Sequence, residues 1–94
     1  MSQNDSEKQF NKALQKAFHI ANHWSYGEKC LTDLKKCQTI EQIDQCLELG
    51  NQRKEAAQTA KDLYYGNKVV ELIWQADSKS KITNILIDAR KKSA

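Results

Sequence analysis

Residues 39–50 read TIEQIDQCLELG, and this stretch shows the pattern from which the fold of the whole chain is predicted. Thr39, followed three positions later by Gln42, forms a capping box, in which two side chains satisfy backbone N–H groups at the start of a helix. Apolar residues then recur at helical spacing and are predicted to face inward: Ile40, Ile43, Cys46 and Leu47. The acidic residues between them, Glu41, Asp44 and Glu48, are predicted to face outward. The pattern predicts a helix that begins after Thr39 and ends at Gly50, because glycine favours the left-handed conformation of a C-terminal cap.

The rest of the chain also favours helices, because its 94 residues include no proline and only three glycines, Gly27, Gly50 and Gly66. Proline interrupts the hydrogen bonds of a helix and glycine weakens a helix interior, so their scarcity leaves long windows free to be helical. We predict an all-α fold, in which residues 1–94 form one small single-domain bundle of four to six helices around one core. Residues 1–5 and 91–94 are predicted to fray.

Two further helices are predicted upstream of Thr39. The first runs from an N-cap at Asn4 or Asp5 to about Trp24, and the second runs from about Glu28 to Lys36. Their apolar stripes predict which side chains face the core. These are Phe10, Ala13, Leu14, Ala17, Ala21, Trp24, Cys30, Leu31, Leu34 and Cys37.

The segment 51–76 allows one helix or two. One apolar stripe continues across Gly66, and a second stripe (Val69, Leu72, Ile73 and Ala76) appears only after it. A helix end that is apolar on two sides is either enclosed by the core or used against another chain. Tyr64 is assigned to the core and Tyr65 to the outside. Residues 77–80 predict a loop before a last, basic helix. We find no internal repeat, low-complexity stretch or domain linker.

Composition bounds the environment of the protein. No apolar run approaches the length of a membrane span, and the polar N-terminus lacks the apolar region of a signal peptide. We therefore expect a cytoplasmic protein with no membrane partner. Cys30, Cys37 and Cys46 are odd in number and lack CxxC spacing, which favours buried thiols in a reducing compartment over a disulfide framework.

No residue pattern predicts catalysis or a cofactor. His19 and His23 have the i, i+4 spacing of two metal-binding histidines, but they lie opposite the apolar stripe of their helix, whereas Cys30 and Cys37 lie on the apolar face of theirs. Four ligands on opposite sides of a helical hairpin do not converge, so we predict no metal site. The chain also lacks a Gly-rich phosphate loop and a cysteine or serine beside a base. We expect a protein that is not an enzyme.

One local pattern resembles a known family. Residues 34–44 read LKKCQTIEQID, and the Hha/YmoA haemolysin-expression-modulator family carries a Leu, a basic pair, Cys-x-Thr-Ile and then an acidic and apolar helix. The close match covers residues 31–48 and extends, with about one gap, through Tyr64-Tyr65 and Glu71-Leu72 to Arg90. The N-terminal domain of H-NS has a similar Cys-Thr-Leu-Glu segment.

The chain also departs from that family. It has an additional N-terminal helix, it lacks the Pro before the last helix, and residues 66–70 replace the family's Ala-Ala-Asp-His-Arg stretch. The acidic partner-contacting residue of the family therefore has no clear counterpart. The resemblance implies a regulator that binds an H-NS-like nucleoid protein and so modulates transcription indirectly.

We thus expect a small non-enzymatic regulator that binds another protein. The residues assigned to partner binding are Val69, Leu72, Ile73 and Tyr65, with self-association into a homodimer as a second use of the same surface. Five basic residues are assigned to an acidic partner or to weak contact with nucleic-acid phosphates: Lys79, Lys81, Arg90, Lys91 and Lys92. The alternative function is a phage- or plasmid-type inhibitor or immunity protein that blocks one enzyme.

Overall fold

The computed structural model describes the backbone of residues 2–93 and the side chains of residues 7–92. All regular structure in this described part is helical, so the all-α prediction is confirmed. The helices are α1 (Ser2–His23), α2 (Glu28–Lys36), α3 (Ile40–Asp62), α4 (Asn67–Gln75) and α5 (Lys79–Ser93). Contacts divide the chain into two compact units, unit 1 (Met1–Gly50) and unit 2 (Asn51–Ala94).

The predicted helix limits hold best in the middle of the chain. The helix predicted from Glu28 to Lys36 has those limits in the structure. The predicted N-cap at Asn4 or Asp5 is wrong, because α1 begins at Ser2 and contains both residues. Residues 2–5 and 91–93, which were expected to fray, are helical, and the two terminal residues lie outside the described part.

In unit 1, the turn after α1 is a Schellman motif. Ser25 adopts the left-handed conformation with φ 56°. The N–H of Tyr26 donates to the carbonyl of Ala21 at 3.0 Å, and the N–H of Ser25 donates to the carbonyl of Asn22 at 3.3 Å. These two bonds satisfy carbonyl groups that the helix end would leave unpaired. Gly27, at φ 95° and ψ 164°, then turns the chain into α2.

Unit 2 contains the same turn 39 positions later. Tyr64 takes the left-handed conformation with φ 58°, and the N–H of Tyr65 donates to the carbonyl of Ala60 at 2.9 Å. Gly66, at φ 101° and ψ 160°, leads into α4. The helices α2 and α4, which follow these turns, are both nine residues long. Each pair of corresponding residues is separated by 39 positions.

The corner at the other end of each short helix is repeated as well. The N–H of Gln42 donates to Thr39 Oγ1 at 3.1 Å at the start of α3, which confirms the predicted cap. At the start of α5, the N–H of Lys81 donates to Ser78 Oγ at 3.2 Å. Thr39 and Ser78 are again 39 positions apart, so both units use the same sequence of turn, short helix and cap.

The prediction that the chain has no internal repeat is therefore wrong. Residues 17–29 and 56–68 share the pattern Ala-x3-Ala-x4-Tyr-Gly-x-Lys. The two alanines of this pattern are buried in both copies. The repeat is inconspicuous in the sequence because small residues and a turn carry it, whereas most of the other positions have diverged.

Burial follows the repeat. In unit 1 the buried core cluster consists of Ala17, Ala21, Cys30, Leu34 and Ile43. In unit 2 the buried apolar residues are Ala56, Ala57, Ala60, Ile73, Ala76, Ile82 and Ala89. Trp24 and Ile40 were predicted to face inward, but both are exposed. They lie next to a helix terminus, where the chain direction changes and the helical stripe no longer predicts which residues are buried.

Gly50 does not end a helix, which corrects the predicted C-terminal cap. It lies inside α3 and is buried. A Cβ atom at this position would lie 3.0 Å from Cβ and Cδ2 of Tyr26 and 3.1 Å from Sγ of Cys30. Glycine is therefore required at residue 50 by the close approach of another segment of unit 1, and not by the conformation of its own backbone.

The segment 51–76 contains the end of α3 and the whole of α4, separated by the turn at residues 63–66. The assignments of the two tyrosines are reversed in the structure. The side chain of Tyr64 is 92% exposed, whereas Tyr65 is half-buried. In a Schellman motif the left-handed residue points away from the helix and the following residue packs back towards it, which explains the reversal.

We predict that Gly50→Ala lowers the free energy of unfolding by about 1 kcal/mol. Alanine in a helix interior gains about 1 kcal/mol over glycine, but overpacking a filled site costs about 1–3 kcal/mol. The contacted Cβ of Tyr26 is fixed by the turn and cannot move aside easily. Urea denaturation measures the change. Asn51→Ala, at the exposed neighbouring position, is the control and is expected to be neutral or slightly stabilising. If the Gly50→Ala protein is more stable than the wild type, the close approach of Tyr26 and Cys30 to residue 50 is contradicted.

We further predict opposite effects for two substitutions in one turn. Gly66→Ala should lower the free energy of unfolding by about 1–3 kcal/mol, because the backbone conformation of Gly66 is almost exclusive to glycine. No atom within 4 Å would meet the added Cβ, so packing does not contribute. Tyr64→Gly should raise stability by about 0.5 kcal/mol, because it relieves a left-handed tyrosine. The matched variants Gly27→Ala and Ser25→Gly test the same turn in unit 1. If Tyr64→Gly and Gly66→Ala change the free energy of unfolding in the same direction, this explanation of the turn is contradicted.

Candidate functional site

An apolar groove lies in unit 2 between the C-terminal end of α3 and α5. Its volume is about 250 Å³. The residues that line it are Thr59, Leu63, Tyr65, Thr83, Leu86, Ile87 and Arg90. The Schellman turn forms one wall of the groove, because it ends α3 and places Leu63 and Tyr65 opposite one face of α5.

The groove exposes aliphatic side chains. Leu63 is 54% exposed and Ile87 is 44% exposed. Tyr65 and Leu86 are half-buried and form its inner surface. Arg90, one helical turn after Leu86, supplies the guanidinium group among the lining residues. This combination of a hydrophobic surface and a cation suits an apolar ligand segment with acidic neighbours.

The four residues that the sequence assigned to partner binding do not form one exposed surface. Ile73 is completely buried and belongs to the core. Tyr65 lines the groove, and Val69 is half-buried. Leu72, 49% exposed, lines a different cleft on α4. The second apolar stripe of this segment is therefore divided between the core and the surface.

The cleft beside Leu72 is formed by α4 alone. It is lined by Lys68, Glu71, Leu72, Trp74 and Gln75. Leu72 is its only strongly exposed aliphatic residue, and a lysine and a glutamate flank it. A single exposed leucine among polar residues is common on protein surfaces, so this cleft is the weaker candidate.

The five basic residues lie in two groups on α5, and all five are exposed. Lys79 and Lys81 lie in its first turn, where Lys81 Nζ contacts Asp77 Oδ1 at 2.9 Å. Arg90, Lys91 and Lys92 lie in its last turn, where positive charge is favourable for the helix dipole. The rise of a helix separates the two groups by about 16 Å. Only the second group adjoins the groove.

The three cysteines lie together in unit 1. Cys30 is buried, and Cys37 and Cys46 are half-buried. The Sγ atoms of Cys37 and Cys46 are 3.3 Å apart. Burial, followed by the hydrogen bond with Cys37, raises the pKa of Cys46 to about 12, so its thiol keeps the proton at neutral pH. His19 and His23 are exposed and their rings stack with a centroid separation of 6.4 Å. Among the described residues, no group of three His, Cys, Asp or Glu side chains is arranged to hold a metal ion.

Arg53 is a structural residue that the sequence did not single out. It is buried within α3, and its Nε donates to the carbonyl of Ala76 at 2.6 Å. Ala76 is the C-cap of α4, so the arginine satisfies a carbonyl and places positive charge at the negative end of that helix. The corresponding residue in unit 1 is Leu14, and no local pattern distinguishes the two positions.

The groove could have been found from the sequence only by aligning the two units. Thr83 and Ile87 correspond to Asp44 and Glu48, which are exposed acidic residues of α3. The alignment therefore reveals that charge has been replaced by hydrophobic surface at one side of α5. Without the repeat, Ile87 resembles an ordinary core residue of an amphipathic helix.

In the part that the structure describes, no helix combines the length and the apolar character needed to cross a membrane. Comparison with protein-family models, with curated proteins and with solved structures gives no match at any of the three levels.

Proposed function

We propose that this protein is a non-enzymatic regulator that acts by binding one other protein in the groove of unit 2. The observation that carries the proposal is the pair of half-exposed aliphatic residues, Leu63 and Ile87, on either side of that groove. Exposed aliphatic residues that line a concave surface are typical of sites where a partner buries apolar side chains.

The repeat supports a functional reason for this exposure. At the position of Ile87, unit 1 carries Glu48, although the turn, the short helix and the cap are the same in both units. An exposed isoleucine is therefore not needed for this arrangement of helices to form. Exposed hydrophobic surface favours aggregation. Since folding does not need an exposed isoleucine at residue 87, we infer that a binding partner covers this surface.

The chemistry of the groove favours an amphipathic helix as the bound segment. Its apolar side chains would enter between Leu63 and Ile87, and its acidic residues would face Arg90. Residues 79–94 contain five basic residues and only one acid, Asp88. Complementary charge of this kind fixes the orientation of a partner and speeds its association.

The resemblance of residues 34–44 suggests the partner class, an H-NS-like nucleoid protein, and with it an indirect effect on transcription. The pattern also has a local structural reason, because residues 37–42 form the corner between α2 and α3, and unit 2 repeats that corner with different residues. The alternative therefore stays open: an inhibitor or immunity protein that blocks one enzyme would use the same groove.

We predict that Ile87→Glu weakens partner binding at least tenfold, because a buried carboxylate has to lose its hydration in an apolar interface. The variant should fold, since glutamate occupies the corresponding position in unit 1. The measurement is a tagged pull-down from nuclease-treated lysate, read by mass spectrometry, followed by calorimetric titration of the recovered protein. Leu72→Glu is the matched control, with the same change at an exposed leucine outside the groove, and it should bind as the wild type does.

The outcomes separate the hypotheses. Unchanged binding by Ile87→Glu together with lost binding by Leu72→Glu would move the site to α4. An H-NS-like protein that is retained by the wild type and lost by Ile87→Glu would support the transcriptional role. An enzyme with the same behaviour, whose activity falls when the wild-type protein is added, would support the inhibitor. The double change of Leu72 and Ile73 to aspartate is unsuitable as a test, because Ile73 is buried.

A further inference from the structure

A pair of thiols lies at the corner between α2 and α3 in unit 1. Cys37 is the C-cap of α2, and Cys46 lies on α3. Their Sγ atoms are 3.3 Å apart. A disulfide needs about 2.05 Å, so the two sulfur atoms must approach by little more than 1 Å.

Hydrogen bonds link the three thiols of this corner to the backbone and to each other. The thiol of Cys37 donates to the carbonyl of Asp33 at 3.4 Å. In the 3.3 Å hydrogen bond between Sγ of Cys37 and Sγ of Cys46, either sulfur atom can be the donor. Sγ of the third thiol, Cys30, lies 3.5 Å from the carbonyl of Cys46, and Cys30 is completely buried.

Solvent reaches the pair through a surface cleft of about 310 Å³. Its lining residues are Asp33, Lys36, Cys37, Gln42, Gln45 and Cys46. The cleft is polar around the two sulfur atoms and large enough for a small oxidant. Cys30 is not among its lining residues, so Cys37 and Cys46 are the two of the three thiols that a molecule in the cleft can contact.

The repeat indicates that packing does not require these thiols. The corresponding residues of unit 2 are Ala76 and Ile85, and the residue that corresponds to Cys30 is Val69. The same corner forms there with aliphatic side chains. Cys37 and Cys46 pack against the core cluster of unit 1, but the corner does not need sulfur atoms in order to form.

We propose that Cys37 and Cys46 form an oxidant-sensitive dithiol site that closes to an intramolecular disulfide with a hydroperoxide as the oxidant. Sγ of Cys37 attacks the peroxide, the O–O bond breaks, and a sulfenic acid and one molecule of water (an alcohol from an organic peroxide) are formed. Sγ of Cys46 then attacks the sulfenic sulfur, and its proton leaves with the hydroxyl group as water. The two sulfur atoms together lose two electrons to the peroxide, and the new S–S bond joins the end of α2 to α3.

The raised pKa of Cys46 is consistent with this order of steps. A thiol that keeps its proton reacts slowly with a peroxide, so the first attack is not assigned to Cys46. A site of this kind is compatible with a reducing compartment, where disulfides that do form are transient and sense oxidants.

The test uses the full-length reduced protein and hydrogen peroxide, followed by alkylation under denaturing conditions and mass spectrometry. We expect a loss of about 2 Da with one alkylated thiol, both reversed by dithiothreitol. Trypsin leaves Cys37 and Cys46 in one peptide, residues 37–53, and cleavage after Glu41 separates them only when the disulfide is reduced. The midpoint of thermal unfolding should rise by several degrees on oxidation.

In three variants, a cysteine is replaced by the residue at the corresponding position of unit 2. These replacements are expected to be compatible with the fold, because unit 2 forms the same corner with them. Cys37→Ala and Cys46→Ile should abolish the 2 Da loss, and Cys30→Val should keep it; circular dichroism checks that each one folds. The proposal is overturned if the wild type gives only sulfinic or sulfonic acid, an intermolecular disulfide or a bond to Cys30. If the disulfide between Cys37 and Cys46 forms but the midpoint of thermal unfolding does not change, the claim that this bond stabilises the protein by joining α2 to α3 is overturned.

Discussion

The structure depends on one backbone constraint, which is the turn that ends a long helix and starts a short one. A left-handed residue at position 25 or 64 allows the two carbonyl bonds of a Schellman motif, and a glycine two residues later adopts φ near 100°. Only glycine tolerates that second conformation without strain. The turn fixes where α1 and α3 end and the direction in which α2 and α4 leave, so the placement of the short helices follows from it.

The two units keep this framework and differ in what they attach to it. Unit 1 has glycine at residue 50, where Tyr26 and Cys30 approach closely, and thiols at the corner between α2 and α3. Unit 2 has alanine, isoleucine and valine at the positions of the thiols, and a groove where unit 1 has acidic residues. The buried alanines and the repeated turn are shared by the two units, so they define the fold. The residues that differ include those of the proposed groove in unit 2 and of the proposed dithiol site in unit 1.

Arg53 illustrates how divergence is accommodated inside one unit. A buried arginine is costly unless its charge is compensated. Its Nε bonds the carbonyl of Ala76, at the end of α4 where helix carbonyls lack partners. Leu14, its counterpart in unit 1, is half-buried and makes apolar contacts with the core cluster instead. The same place in the repeat can therefore hold a polar or an apolar contact.

The sequence by itself determined the helical class, the limits of α2, the cap at Thr39 and the inward positions of Leu34 and Ile43, because these depend on interactions between residues a few positions apart. It did not determine which of the two tyrosines is exposed, because that follows from the left-handed residue of the Schellman turn. It also did not determine the role of Gly50, the burial of Ile73 or the groove around Ile87. Each of these depends on which segment lies opposite a residue in space, and helical periodicity is the same for a buried stripe and for a docking stripe. The repeat needed both the sequence and the structure. Its pattern is present in the sequence, but only the identical turns of the two units distinguish it from chance similarity.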